Sequence, residues 1–150
     1  MSRVAAYLVR CVAILAGYVA ASLGASAFLN LVFLGAAFDT QDMPVASASM
    51  SFSIPFVALF VAYFAFIPAA AAILLAELLG RRDWLFYALG GGVVAAVFLG
   101  LVRYAGDADF AVSGVNPTLA VIGAGMVGGI SYWLVAGRRA GSWRDGLPEA

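Results

Sequence analysis

The chain has 150 residues, no net charge, and a composition that is 65% hydrophobic and 11% charged. Soluble domains are roughly 45–50% apolar and about 25% charged, so eight acids and eight arginines are too few to cover a water-soluble fold of this size. With no histidine and one cysteine, Cys11, haem held by paired imidazoles, a His-based zinc site, an internal disulfide and a C-x-x-C redox pair are also excluded.

A helix that crosses a bilayer needs about 20 mostly apolar residues. Four stretches meet this: residues 11–33, 54–76, 84–102 and 118–137. None contains a charged residue, and a charge at the bilayer centre costs about 2.5–3.5 kcal/mol on insertion scales. In the first stretch Cys11 reads as a small buried hydrophobe. Arg10 lies just ahead of it, where a long stem can snorkel to the headgroups, so the helix can begin several residues earlier. Ala25-Ser26-Ala27 has the look of a signal-peptide cleavage site. The apolar run continues past it, and the span is expected to be retained. Asn30, near the outer end, reads as an interhelical hydrogen-bonding residue or a pore-lining amide.

The second stretch has a start signal at Ser53 and Pro55 and is rich in phenylalanine (Phe56, Phe60, Phe64, Phe66), a bulk suited to lipid or a partner. Pro68, near its middle, removes a backbone hydrogen bond and predicts a kink. Glu77 ends it, with Arg81 four positions on, an orientation that favours an ion pair. Gly80 is placed to close the helix and Asp83 to cap the third. The short turn at Arg81 and Arg82 makes the second and third helices an antiparallel hairpin. Asn116-Pro117 is a good start for the fourth helix. The short outer loop before it contains Asp107-Ala108-Asp109, which reads as two solvated acids rather than a metal site.

If the chain alternates across the bilayer, Arg3, Arg10, Arg81, Arg82, Arg138, Arg139 and Arg144 share one side with Glu77, Asp83, Asp145 and Glu149. The other side has Arg103 with Asp39, Asp42, Asp107 and Asp109. Positive charge marks the cytoplasmic side, so both termini are expected inside. Trp84, Tyr87, Tyr132 and Trp133 inside, and Tyr104 outside, fall where interfacial aromatic residues belong.

The fourth stretch contains Gly123, Gly125 and Gly128 in the spacing G-x-G-x-x-G. A dinucleotide turn would need a second strand and an acid about 20 residues on; beyond Gly137 there is only a short polar tail with Asp145. The glycines fit a membrane helix better. Small residues four apart let helix backbones approach closely. Such rows are Ala120-Ala124-Gly128 and Gly125-Gly129 in the fourth helix, Gly92-Ala96-Gly100 in the third, and Ala13-Gly17-Ala21 with Ala20-Gly24 in the first.

Two stretches, ELLGRRDWLFY from Glu77 to Tyr87 and GGISYWLVAGRRAG from Gly128 to Gly141, resemble small four-span inner-membrane proteins of high-GC proteobacteria. The resemblance implies topology and carries no activity. The expectation is therefore an all-α, integral membrane four-helix bundle forming one domain in a bacterial inner membrane. It needs no cofactor or metal and has no catalytic or nucleic-acid-binding motif. Its surroundings are the lipid bilayer and, for partners, other membrane proteins or copies of itself. A structural or accessory role comes first. A small oligomeric ion or solute carrier, with Glu77 and Asn30 as polar parts and Pro68 as a hinge, comes second.

Overall fold

The computed structural model describes residues 3–33, 43–105 and 115–141. Asp39, Asp42, the Asp107/Asp109 pair, Arg144, Asp145 and Glu149 lie outside the described residues, as does the side chain of Arg3. The chain is all-α: α1 (Arg3–Phe33), α2 (Met43–Phe64), α3 (Phe66–Leu79), α4 (Trp84–Ala105) and α5 (Val115–Val135), followed by a 3-10 turn, Gly137–Arg139. Helices α1, α4 and α5 are each long and apolar enough to cross a membrane, and α2 and α3 add a fourth such element if the bent pair is one span.

Two boundaries differ from expectation. The kink expected from Pro68 in the stretch 54–76 is present but goes as far as a break: the helix is interrupted at Ala65, and α2 and α3 meet at 72°. Pro68 supplies the reason. It has no N–H to return to residue 64 and its ring crowds that turn, so regular bonding stops at Ala65 N–H to Val61 and resumes at Ala69 N–H to Ala65. Nor do Ser53 and Pro55 start the second helix. Helix α2 begins at Met43 and runs through Pro55, while the Ser53 hydroxyl donates to Asn30 on α1. Gly80 does end α3, in the left-handed conformation (φ 61°), with the Gly80 N–H on the Glu77 carbonyl and the Arg81 N–H on that of Ala76.

Helix α5 is the centre of the packing and runs antiparallel to both α1 and α4. A β-carbon on Gly125 would overlap the Gly91 carbonyl, one on Gly129 the Tyr87 carbonyl, and one on Gly128 would lie 3.0 Å from the Ala21 carbonyl. Gly17 sits against Ala136 and Tyr132. These close approaches need the bare backbone of glycine. On α4 the close backbone approach to α5 is made at Gly91, with Ala95 against Gly125, and of the expected row Gly92-Ala96-Gly100 only Gly92 is buried against α5. Gly92 faces the flexible Met126 side chain, Ala96 is exposed, and Gly100 is exposed, with nothing within 4 Å of where a β-carbon would stand.

Burial is inverted relative to a water-soluble fold. The interior holds alanines and glycines together with Arg10, Ser22, Ser26, Asn30 and Glu77, while large apolar side chains such as Leu15, Phe52, Leu59, Ile67 and Leu101 point outward. Cys11 also lies on this outer surface as a free thiol, against the buried position expected for it. Tyr87 and Tyr132 go the other way: both are buried rather than interfacial.

Candidate functional site

Three features stand out: a polar cluster at each end of the bundle and an apolar cavity between them. The first cluster centres on Glu77, only 7% exposed although it is one turn from the end of α3. Its partner is Arg10 on α1, itself 8% exposed. The Arg10 Nη2 atom donates to Glu77 Oε1, and Nε donates to Oε2 at 3.3 Å. The remaining guanidinium nitrogen donates to the Ala136 carbonyl just past α5, at 3.0 Å. The Gly141 backbone N–H completes the set by donating to Glu77 Oε2 at 3.1 Å. Gly141 reaches there with φ 71° and its backbone against Gly80, a conformation and contact suited to glycine.

The expected Glu77–Arg81 pair therefore does not form. Glycine at 80 ends the helix before a full turn separates the two side chains, and Arg81 lies instead 3.8 Å from Asp83 in an exposed contact. Arg10 does not snorkel; the bundle supplies carboxylate and carbonyl acceptors that repay its loss of water.

The same end is tied by further bonds. Arg82 Nε donates to the Ala140 carbonyl at 3.0 Å, and Trp133 Nε1 donates to the Arg82 carbonyl at 2.7 Å. Arg138 lies over the Trp133 ring at 4.6 Å. Below the ion pair, Tyr87 and Tyr132 stack with centroids 5.5 Å apart. The Tyr87 hydroxyl donates to the Arg81 carbonyl at 3.1 Å, whereas the buried Tyr132 hydroxyl has no partner among the described residues.

The second cluster joins α1 to α2. Asn30 Nδ2 donates to the Ser26 carbonyl at 2.9 Å, Ser53 donates to Asn30 Oδ1 at 2.5 Å, and Ser26 donates to the Ile54 carbonyl at 2.6 Å. Asn30 is thus a hydrogen-bonding hub between helices. Arg10 and Asn30 are twenty positions apart on α1, on the order of 30 Å along a helix. The bent α2–α3 element touches α1 at both points, through Ser53 and through Glu77.

Because α2 and α3 bend at Ala65, they stand away from α4 and α5. The space between them is a half-open apolar cavity of about 580 Å³. Small residues of α1, α4 and α5 (Ala21, Ala25, Gly90, Gly125) form one wall, and Phe60, Phe64 and Ile73 face them. Sequence spacing signals neither the cavity nor the roles of Arg10, Gly141, Gly91 and Tyr132.

No protein-family model matches the chain, and no curated protein or solved structure matches it.

Proposed function

We propose that this chain is a multi-pass membrane protein of structural or accessory type, which packs beside a larger membrane complex or helps to form one and carries out no catalysis itself. It is a four-span bundle in a bacterial inner membrane with both termini cytoplasmic, in keeping with its likeness to small four-span inner-membrane proteins. The bent α2–α3 element is the second span. Its contacts with α1 at Asn30 and at Arg10 are separated by about the 30 Å thickness of a hydrocarbon core. Arg81, Arg82, Arg138 and Arg139 gather with Arg10 at one end, while Arg103 lies near Thr118 at the other. That distribution supports the orientation by the positive-inside rule.

The observation that carries the accessory reading over a carrier is the use made of Glu77. Both carboxylate oxygens are engaged by Arg10, and Oε2 also accepts from Gly141. Intramembrane acids often mark ion paths; this one, with both oxygens occupied, fastens α1, α3 and the segment after α5 together. Asn30 is likewise committed to Ser26 and Ser53.

The test is affinity purification of the full chain in a mild detergent with identification of co-purifying proteins. A membrane protein recovered in stoichiometric amount supports the accessory role. Recovery of homo-oligomers alone, together with proton flux into vesicles that Glu77→Gln abolishes, overturns it in favour of the carrier. A reporter fused after Ala150 should be active only in the cytoplasm; periplasmic activity would reverse the orientation.

A further inference from the structure

The structure assigns a headgroup site to the arginine-bearing end of the bundle: Arg138 and Arg139, with Arg82 beside them, hold the phosphate of an anionic phospholipid such as phosphatidylglycerol. This rests on the membrane reading and is independent of whether the protein has an accessory role.

Two turns that are distant in sequence meet here. Arg82 lies between α3 and α4, whereas Arg138 and Arg139 belong to the 3-10 turn after α5. Arg82 Nε donates to the Ala140 carbonyl at 3.0 Å, and the Trp133 indole N–H donates to the Arg82 carbonyl at 2.7 Å. The Arg138 guanidinium lies over the same indole ring, 4.6 Å from its centre. One tryptophan thus carries a cation on its face and ties down the other turn through its N–H. The fold, rather than neighbourhood in the sequence, gathers positive charge from both turns in one place.

That charge is not cancelled from within. Glu77 has both oxygens on Arg10, and Asp83 lies 3.8 Å from Arg81. Among the described residues no carboxylate pairs with Arg138 or Arg139, and both side chains are exposed. Positive charges held together repel, so an anion between them stabilises the arrangement. Stacking on Trp133 occupies the face of the Arg138 guanidinium and leaves its N–H edge for an acceptor. A planar fork of this kind matches the oxygens of a phosphate.

Position selects the anion. Helix α5 exposes Leu134 and Val135 just before its turn, and α4 exposes Trp84 and Leu85 just after the other. The arginines therefore stand on the rim of the outward apolar surface, beside an exposed tryptophan of the interfacial kind. In the membrane reading that rim is the level of the cytoplasmic headgroups, a leaflet that carries anionic lipid. An acidic side chain of another protein offers a similar acceptor. The side chains flanking these arginines, however, are the ones that face lipid.

The test is native mass spectrometry of the full chain in a neutral detergent, with phosphatidylglycerol, phosphatidylethanolamine and phosphatidylcholine of identical acyl chains. Identical tails leave the headgroup as the only difference. Phosphatidylglycerol should be retained at least about fivefold better than the other two, with a loss of about fivefold for each of Arg138→Gln and Arg139→Gln. Arg138→Lys keeps the charge but gives up the planar fork, and should fall nearly as far as Arg138→Gln. Arg103→Gln, at the other end near Thr118, should change nothing. All these side chains are exposed, so the fold does not depend on them. Equal retention of the three lipids by the unmodified chain overturns the proposal; a co-purifying protein lost in Arg138→Gln/Arg139→Gln would then be what the arginines hold. A preference that survives Arg138→Gln/Arg139→Gln overturns it too, by putting the lipid elsewhere. One that Arg138→Lys preserves in full reduces the site to diffuse attraction by a basic surface and is equally fatal. So is displacement of the lipid by equimolar inorganic phosphate, which assigns the arginines to a soluble anion. A chain that dissolves without detergent defeats the membrane reading itself; the other outcomes, in a chain that needs detergent, defeat this proposal alone.

Discussion

Arg10 and Glu77 lie 67 positions apart in the chain and share one buried ion pair that closes the end of the bundle. Such a pair is informative for what its halves cost alone. Removing one partner leaves an unpaired charge in a poorly solvated place, at about 3–5 kcal/mol, whereas replacing both with apolar side chains is often nearly neutral. Arg10→Met and Glu77→Leu should each lower the unfolding midpoint in detergent markedly, and the double variant should recover most of the loss. Simple addition of the two single effects would mean that the pair does not act as a unit.

The tyrosines beneath the pair should respond unequally to loss of a hydroxyl. Tyr87 uses its hydroxyl on the Arg81 carbonyl, so Tyr87→Phe should destabilise by about 0.5–1.5 kcal/mol. The Tyr132 hydroxyl is buried without a partner among the described residues, and leaving such a group unsatisfied costs about 1–3 kcal/mol. Tyr132→Phe should therefore be neutral or stabilising. Chemical unfolding of the two variants in the same detergent measures the difference; equal losses would show that the Tyr132 hydroxyl has a partner after all.

How far the sequence reveals the structure depends on the range over which each signal acts. Hydrophobicity is a local property, so four apolar stretches are legible, as is Gly80 at the end of α3, where only glycine adopts the left-handed turn without strain. Pro68 announces a break, but its 72° size depends on what α3 packs against. Arg81 stands at the local spacing for pairing with Glu77 and so draws the expectation; the actual partner is distant in sequence and carries no periodicity. Three consecutive glycines, Gly90 to Gly92, leave the contact face of α4 undetermined, since each step of one residue turns the face by about 100°. Cys11 departs from expectation for a simpler reason. Burial rules assume water outside, and between helices in lipid there is no such drive to hide a small apolar side chain.

The choice of face on α4 yields a paired prediction. A β-carbon on Gly91 overlaps the Gly125 carbonyl, which is backbone and cannot rotate away. Gly91→Ala should push α4 and α5 apart and cost about 1–3 kcal/mol, as overpacking does. Gly100→Ala touches nothing and should gain part of the roughly 1 kcal/mol by which alanine exceeds glycine in a helix. Thermal unfolding of both variants in detergent is the measurement. The reverse order would shift the packing row back to Gly92-Ala96-Gly100.

The bend at Ala65 should depend on Pro68. Alanine at 68 restores the N–H that residue 64 lacks and removes the crowding ring, so Pro68→Ala should let α2 and α3 straighten toward one continuous helix. Spin labels at Leu59 and Leu74, both exposed, report this once Cys11 has been changed to serine. In a straight helix those positions are about 22 Å apart along the axis, and the bend brings them closer. The distance should therefore lengthen in Pro68→Ala, and the cavity should narrow as α3 swings into line with α2. An unchanged distance would mean that the Arg10–Glu77 anchor, pulling the end of α3 across to α1, holds the angle without help from proline; releasing that anchor with the Arg10→Met/Glu77→Leu pair should then straighten the element instead.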